Sequence, residues 1–216
     1  MKAKIIVPNR LSEIKLWQYQ KFLKIQEESQ DEKLLAMKLI EIFCQVDLQD
    51  VMKIKLNDVT VITDIITNML EQKPNLVRTF EMDGQVYGFI PNLEKITLGE
   101  YVDLDTYLRD WQKMEYAMSV LYRPLQGRYK EKYLIEDYTA EDQSKMKNMP
   151  MDAVFGSILF FYHLGIDLSK TMMNYLEQTE DKSSLLQDSL LVNGDGISQF
   201  THSLKGILQG LNISLN

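Results

Sequence analysis

Apolar residues recur along this chain at two spacings, and the spacing changes partway through. From "LSEIKLWQYQKFLKIQEE" to "VITDIITNMLEQ" they fall three and four apart, as one face of a helix does. Ile14, Trp17, Phe22 and Ile25 predict a first helix with Ser12 as its cap. Asp31 opens a second, well-buried helix through "LLAMKLIEIFCQV". Two more helical pieces follow. The second is capped near Asn57-Asp58, presents Val61, Ile65, Ile66, Met69 and Leu70, and is stopped by Pro74.

Over 78–91 the texture becomes that of strands. "LVRTFEMDGQVYGFI" reads as two β-rich runs around Asp83-Gly84, and an Asp-Gly pair between β-formers predicts a hairpin with positive φ at both turn residues. The N-terminal "AKIIV" reads as a strand ended by Pro8-Asn9. "DLDTYLRDWQKMEYAMSVLY" predicts one continuous helix on Leu104, Leu108, Trp111, Met118 and Leu121. Asp103 and Asp105 are expected at its start, and Pro124 after its end. A second hairpin is expected over "LQGRYKEKYLIEDY", with Gly127 in the turn. "MPMDAVFGSILFFYHLGIDLSKTMMNYLEQ" reads as a helix pair, capped by Asp152 and divided at Gly165. The pattern as a whole predicts a mainly α fold with minor β. Residues 1–179 form the body, and 180–216 a polar linker and a C-terminal helical arm.

One device is used twice. Pro8-Asn9, Leu11, Ile14, Leu16 and Tyr19 line up with Pro91-Asn92, Leu93, Ile96, Leu98 and Tyr101 once Arg10 is skipped. In the second copy Thr97 and Glu100 have capping-box spacing. The expected use is structural: each copy turns a strand end into a helix start, and the apolar residues lock the corner. The two strands would then be neighbours in one sheet.

Composition removes several functions. With 24 basic and 31 acidic residues the net charge is −7, which argues against nucleic acid or an anionic membrane as the main partner. No run approaches the ~20 apolar residues of a membrane span, and "MKAKIIVPNR" does not read as a signal peptide. The sequence holds no zinc-ligand spacing, Gly-rich phosphate loop or Ser-His-Asp order, so no catalytic residue, cofactor or metal site is assigned. Cys44, the single cysteine, is expected to be a buried, inert thiol. His163 reads as a core or interface residue. Asp103 and Asp105 resemble a cation-binding pair but lack a third ligand cluster.

What remains is interaction. The apolar stripe Ile197, Phe200, Leu204, Ile207, Leu208 and Leu211 follows a linker, so it packs either on its own body or in a groove of a neighbouring subunit. Twelve methionines suit adaptable contacts of this kind. The Asp83-Gly84 hairpin tip is the second candidate for partner binding.

Four phrases carry a family resemblance: "LSEIKLWQYQKFLKI", "YGFIPNL" with "TLGEYVDLDTYL", "DWQKMEYAMSVLYRPL" and "MPMDAVFGSILFFYHLGIDL". Together they resemble a structural and assembly protein family of tailed bacteriophages, marine and crAss-like phages among them, over roughly Ile5 to Leu176. The resemblance implies a non-enzymatic virion protein, made in the host cytoplasm. Its expected role is a head-tail connector or portal-adaptor subunit in a homo-oligomeric ring, in contact with portal or tail proteins, without specific nucleic-acid or membrane binding. The alternative it implies is a tail assembly chaperone, absent from the finished particle.

Overall fold

The computed structural model describes residues 5–130, 132–140 and 143–178. Among them are seven α-helices and one four-stranded antiparallel sheet, so the fold is mainly α with minor β. The helices are α1 (Leu16–Glu28), α2 (Glu32–Phe43), α3 (Leu48–Val51), α4 (Leu56–Leu70), α5 (Leu98–Tyr107), α6 (Met114–Leu121) and α7 (Met151–Gln178). The strands are β1 (Thr79–Met82), β2 (Gln85–Phe89), β3 (Tyr122–Tyr129) and β4 (Lys132–Ile135), paired in that order.

The core forms where α1, α6 and the first half of α7 meet the sheet. Phe155 on α7 receives the edges of Tyr19 and Trp111, with ring centroids 5.3 and 6.2 Å away. Phe89 and Tyr122 bring the sheet in, and Phe89 packs edge-on against Phe160 of α7. Such edge-to-face pairs add about 0.5–1.5 kcal/mol each beyond area burial. On the other side, α2 packs between α1 and α4. Asp31 caps α2 as expected, accepting from the amides of Lys33 and Leu34.

The first hairpin is as predicted. Asp83 and Gly84 have φ of +52° and +76°, and Met82 pairs with Gln85. The second hairpin also forms, but its turn lies further on. Tyr129 pairs with Lys132, Lys130 takes the positive φ, and Gly127 lies inside β3 beside a register shift at Leu125.

Several expectations are corrected. Ile5–Val7 form no strand, so the two repeat copies are not sheet neighbours. The first copy is instead tied to the start of α7: the Leu16 amide donates to Met149 O, and the Met151 amide to Ile14 O, both at 2.9 Å. Ser12 falls in a 3₁₀ turn, and α1 begins only at Leu16. α4 begins at Leu56, placing Asn57 and Asp58 inside its first turn. The predicted helix from Asp103 to Leu121 is two. Asp110 caps a 3₁₀ turn by accepting from the Gln112 amide, and at this break the Trp111 carbonyl accepts from both the Met114 amide and the buried Gln20 side-chain amide, the latter at 2.8 Å. The helix before it starts early, at Leu98, because the capping box takes hold there. Asp103 and Asp105 therefore lie mid-helix rather than at a cap. Pro124 is a strand residue in β3. Finally, α7 runs unbroken through Gly165; a single glycine costs a helix only about 1 kcal/mol, which flanking apolar contacts outweigh.

Candidate interaction surfaces

The repeated corner recurs in three dimensions, with opposite burial. Each copy makes a 3₁₀ turn, Leu11–Glu13 or Leu93–Lys95, then an extended Ile, then a helix. Each helix start is braced by the third helical residue: Gln18 Oε1 accepts from the Lys15 amide, and Glu100 Oε2 from the Thr97 amide. In the first copy Leu11, Ile14, Leu16 and Tyr19 are all buried. In the second, Leu98 is 79% exposed, and Tyr101 and Val102 also face solvent. Leu93 and Ile96 still pack, partly buried, against the core, but the other apolar residues, Leu98, Tyr101 and Val102, do not lock the corner. They form an outward stripe on the first turns of α5.

Two further surfaces share this character. On α4 the buried face is Ile62, Ile66 and Met69, while Val61 and Ile65 point outward beside Asp58 and Asp64. The distal half of the β3–β4 hairpin is exposed from Gln126 to Lys130, with Tyr129 and Leu134 as its apolar groups. Single exposed apolar residues are ordinary, but clusters of them mark contact surfaces.

The Asp83-Gly84 tip is exposed, on a hairpin whose neighbouring residues are anchored. Met82 is buried, and Asp83 Oδ2 accepts a 3.3 Å hydrogen bond from Asn148 Nδ2. The predicted stripe from Ile197 to Leu211 and the linker before it lie outside the described residues.

The candidate chemical groups have structural uses. Asp103 accepts from the Tyr138 hydroxyl at 2.8 Å, and Asp105 pairs with Arg109 at 2.8 Å. Among the described residues no cluster of three or more His, Cys, Asp or Glu is placed to hold a metal ion. Glu115 is buried, accepts from Gln20 Nε2 at 2.7 Å and pairs with Lys147. Glu100 is buried against Arg123 at 2.8 Å. His163 is exposed rather than core, on the rim of a cleft of about 740 Å³ between residues 73–76 and α7.

Cys44 is buried at the end of α2, and burial pushes its thiol up to about 11. The reactive species is the thiolate, so at pH 8 native labelling by a thiol reagent should run about a hundredfold slower than labelling after unfolding. Stopped-flow absorbance with an aromatic disulfide reports both rates. Equal rates would contradict an inert thiol.

Comparison with protein-family models, with curated proteins and with solved structures finds no match. Among the described residues no helix is long and apolar enough to cross a membrane.

Proposed function

We propose that this chain is a non-enzymatic assembly subunit, a virion structural protein of a tailed bacteriophage acting as a head-tail connector or portal-adaptor ring subunit. The carrying observation is the pairing of a well-packed core with three outward apolar surfaces, on α4, on α5 and on the β3–β4 hairpin. A protein that works alone exposes scattered apolar residues but few contiguous clusters of them. One that works in an assembly keeps them for its neighbours. The buried acids Glu100 and Glu115 are each engaged by a scaffold partner, Arg123 and Gln20 respectively. The phage assignment rests on the four phrases quoted above, and the C-terminal stripe Ile197–Leu211 would add a further contact with a neighbouring subunit or with a portal or tail protein.

Mass spectrometry of purified particles and of infected cells tests this reading. A connector appears in the particle in fixed ratio to the portal protein. Presence in cells but absence from particles would move the assignment to a tail assembly chaperone. Absence from both would end the phage reading.

A further inference from the structure

We propose that the β3–β4 hairpin docks on the outward face of α4 of a second copy of this chain, so that copies join head to tail. The inference rests on the assembly reading above and names its contact.

The hairpin's register decides what it offers. Tyr129 is opposite Lys132 and Gly127 is opposite Leu134, so these four residues share one face. Tyr129 is 75% exposed and Leu134 68%, while Gly127 leaves that face low between them. Lys130 Nζ lies 5.7 Å over the Tyr129 ring and Lys132 shares its face, while Arg128, paired with Tyr133, adds its charge to the tip from the opposite face. By sequence Arg128–Lys132 holds three cations and one acid, a net +2. The rest of the chain is then −9, from −7 less +2. The tip is thus a basic, aromatic point on an acidic molecule.

The face on α4 is its complement. Asp58, Val61 and Ile65 fall at i, i+3 and i+7, on one stripe, with Asp64 beside them. Leu56–Leu70 contains two acids and no Lys or Arg. Apolar area flanked by acid meets apolar area flanked by base, the arrangement that steers and registers a contact. The hairpin face and the α4 face are both exposed in one chain, so they do not cover each other in cis. Their contact joins different patches on two copies, which is heterologous and propagates into a ring or a filament.

Sedimentation velocity and light scattering on the full chain, at low and high salt, test the contact with three variants. One reverses the tip (Arg128→Glu, Lys130→Glu, Lys132→Glu), one reverses the helix (Asp58→Lys, Asp64→Lys), and one carries both sets. All five positions are exposed, and circular dichroism verifies that each variant is folded. The wild type should form salt-sensitive oligomers. Either reversal alone should raise the dissociation constant about tenfold or more, and the combined variant should regain most of that loss. Oligomers indifferent to both reversals would overturn this contact and leave the assembly reading standing. Losses that the combined variant does not repair would overturn the pairing of these two faces. A wild type that stays monomeric throughout overturns it as well. So would tip-dependent binding of duplex DNA with assembly unchanged, since the cations would then serve nucleic acid. Absence from both virions and infected cells would instead sink the phage reading without touching this result.

Discussion

Glu100→Ala destabilises the chain by about 3–5 kcal/mol, the range for removing one partner of a buried ion pair. Urea unfolding followed by the fluorescence of Trp17 and Trp111 reads this as a lower midpoint at unchanged slope. Against a typical total of about 5–15 kcal/mol the loss is severe. The reason is that one carboxylate does two jobs. Its Oε1 lies 2.8 Å from Arg123 Nη1, with the two side chains 6% and 12% exposed. Its Oε2 accepts from the Thr97 amide at 2.7 Å, and its own amide donates to Thr97 Oγ1. It therefore holds the start of α5 and the root of β3 together. Without it, the Arg123 guanidinium, whose Nε has no acceptor, keeps its charge and loses its 2.8 Å partner.

Two companions divide that loss. Thr97→Ala removes only the hydroxyl half of the cap and should cost about 1 kcal/mol. Glu100→Ala combined with Arg123→Met removes both charges, and should recover much of the single-mutant loss because no unpaired ion is left. A Glu100→Ala cost below about 1 kcal/mol would mean that the pair behaves as a solvated surface pair, and the account would fail.

Capping chemistry was legible at some helix starts and misread at others, Ser12 and Asn57-Asp58 among them. Asp31, the Thr97–Glu100 box and Asp83-Gly84 each act within three or four residues of themselves, so local sequence contains the whole argument. Helix breaks were not legible in the same way. The period from Leu104 to Leu121 is continuous, but the helix breaks at Asp110, where the Trp111 carbonyl also meets Gln20 from ninety-one residues away. Gly165 misled in the opposite direction, because a glycine's helical cost is smaller than the packing around it.

The surfaces were hidden by direction rather than by identity. Leu98 and Tyr101 occupy the same motif positions as Leu16 and Tyr19, and only the neighbours differ. The first corner is covered by Met149–Met151, whereas the second has no such cover. On α4 the sequence held a usable signal. Its apolar residues spread over Val61, Ile62, Ile65, Ile66 and Met69, an arc wider than one buried face needs. Surplus width on a helix that packs mainly on one neighbour implies that some of it faces out.

Gly156→Ala should cost about 2–3 kcal/mol, even though alanine is the better helix former by about 1 kcal/mol. Here α7 makes its closest approach to the segment that follows α4. A Cβ on Gly156 would meet the Asn75 carbonyl oxygen well inside contact distance, with Asn75 C at 3.1 Å and Leu76 Cα at 3.3 Å behind it. All three are backbone atoms, so no side chain can swing aside. The segment is held, since Tyr122 donates from its hydroxyl to Val77 O at 2.8 Å. The helix is held too, by Phe155 between Tyr19 and Trp111. Strain is therefore shared by two fixed elements rather than relieved. Gly99→Ala is the matched control: the same change, on α5, into space with nothing within 4 Å. It should be neutral or stabilising by up to about 1 kcal/mol. Opposite signs for the two substitutions in urea titrations are the expected result. A neutral Gly156→Ala would mean that residues 75–76 move away freely, and that α7 is not packed as tightly against them as this contact requires.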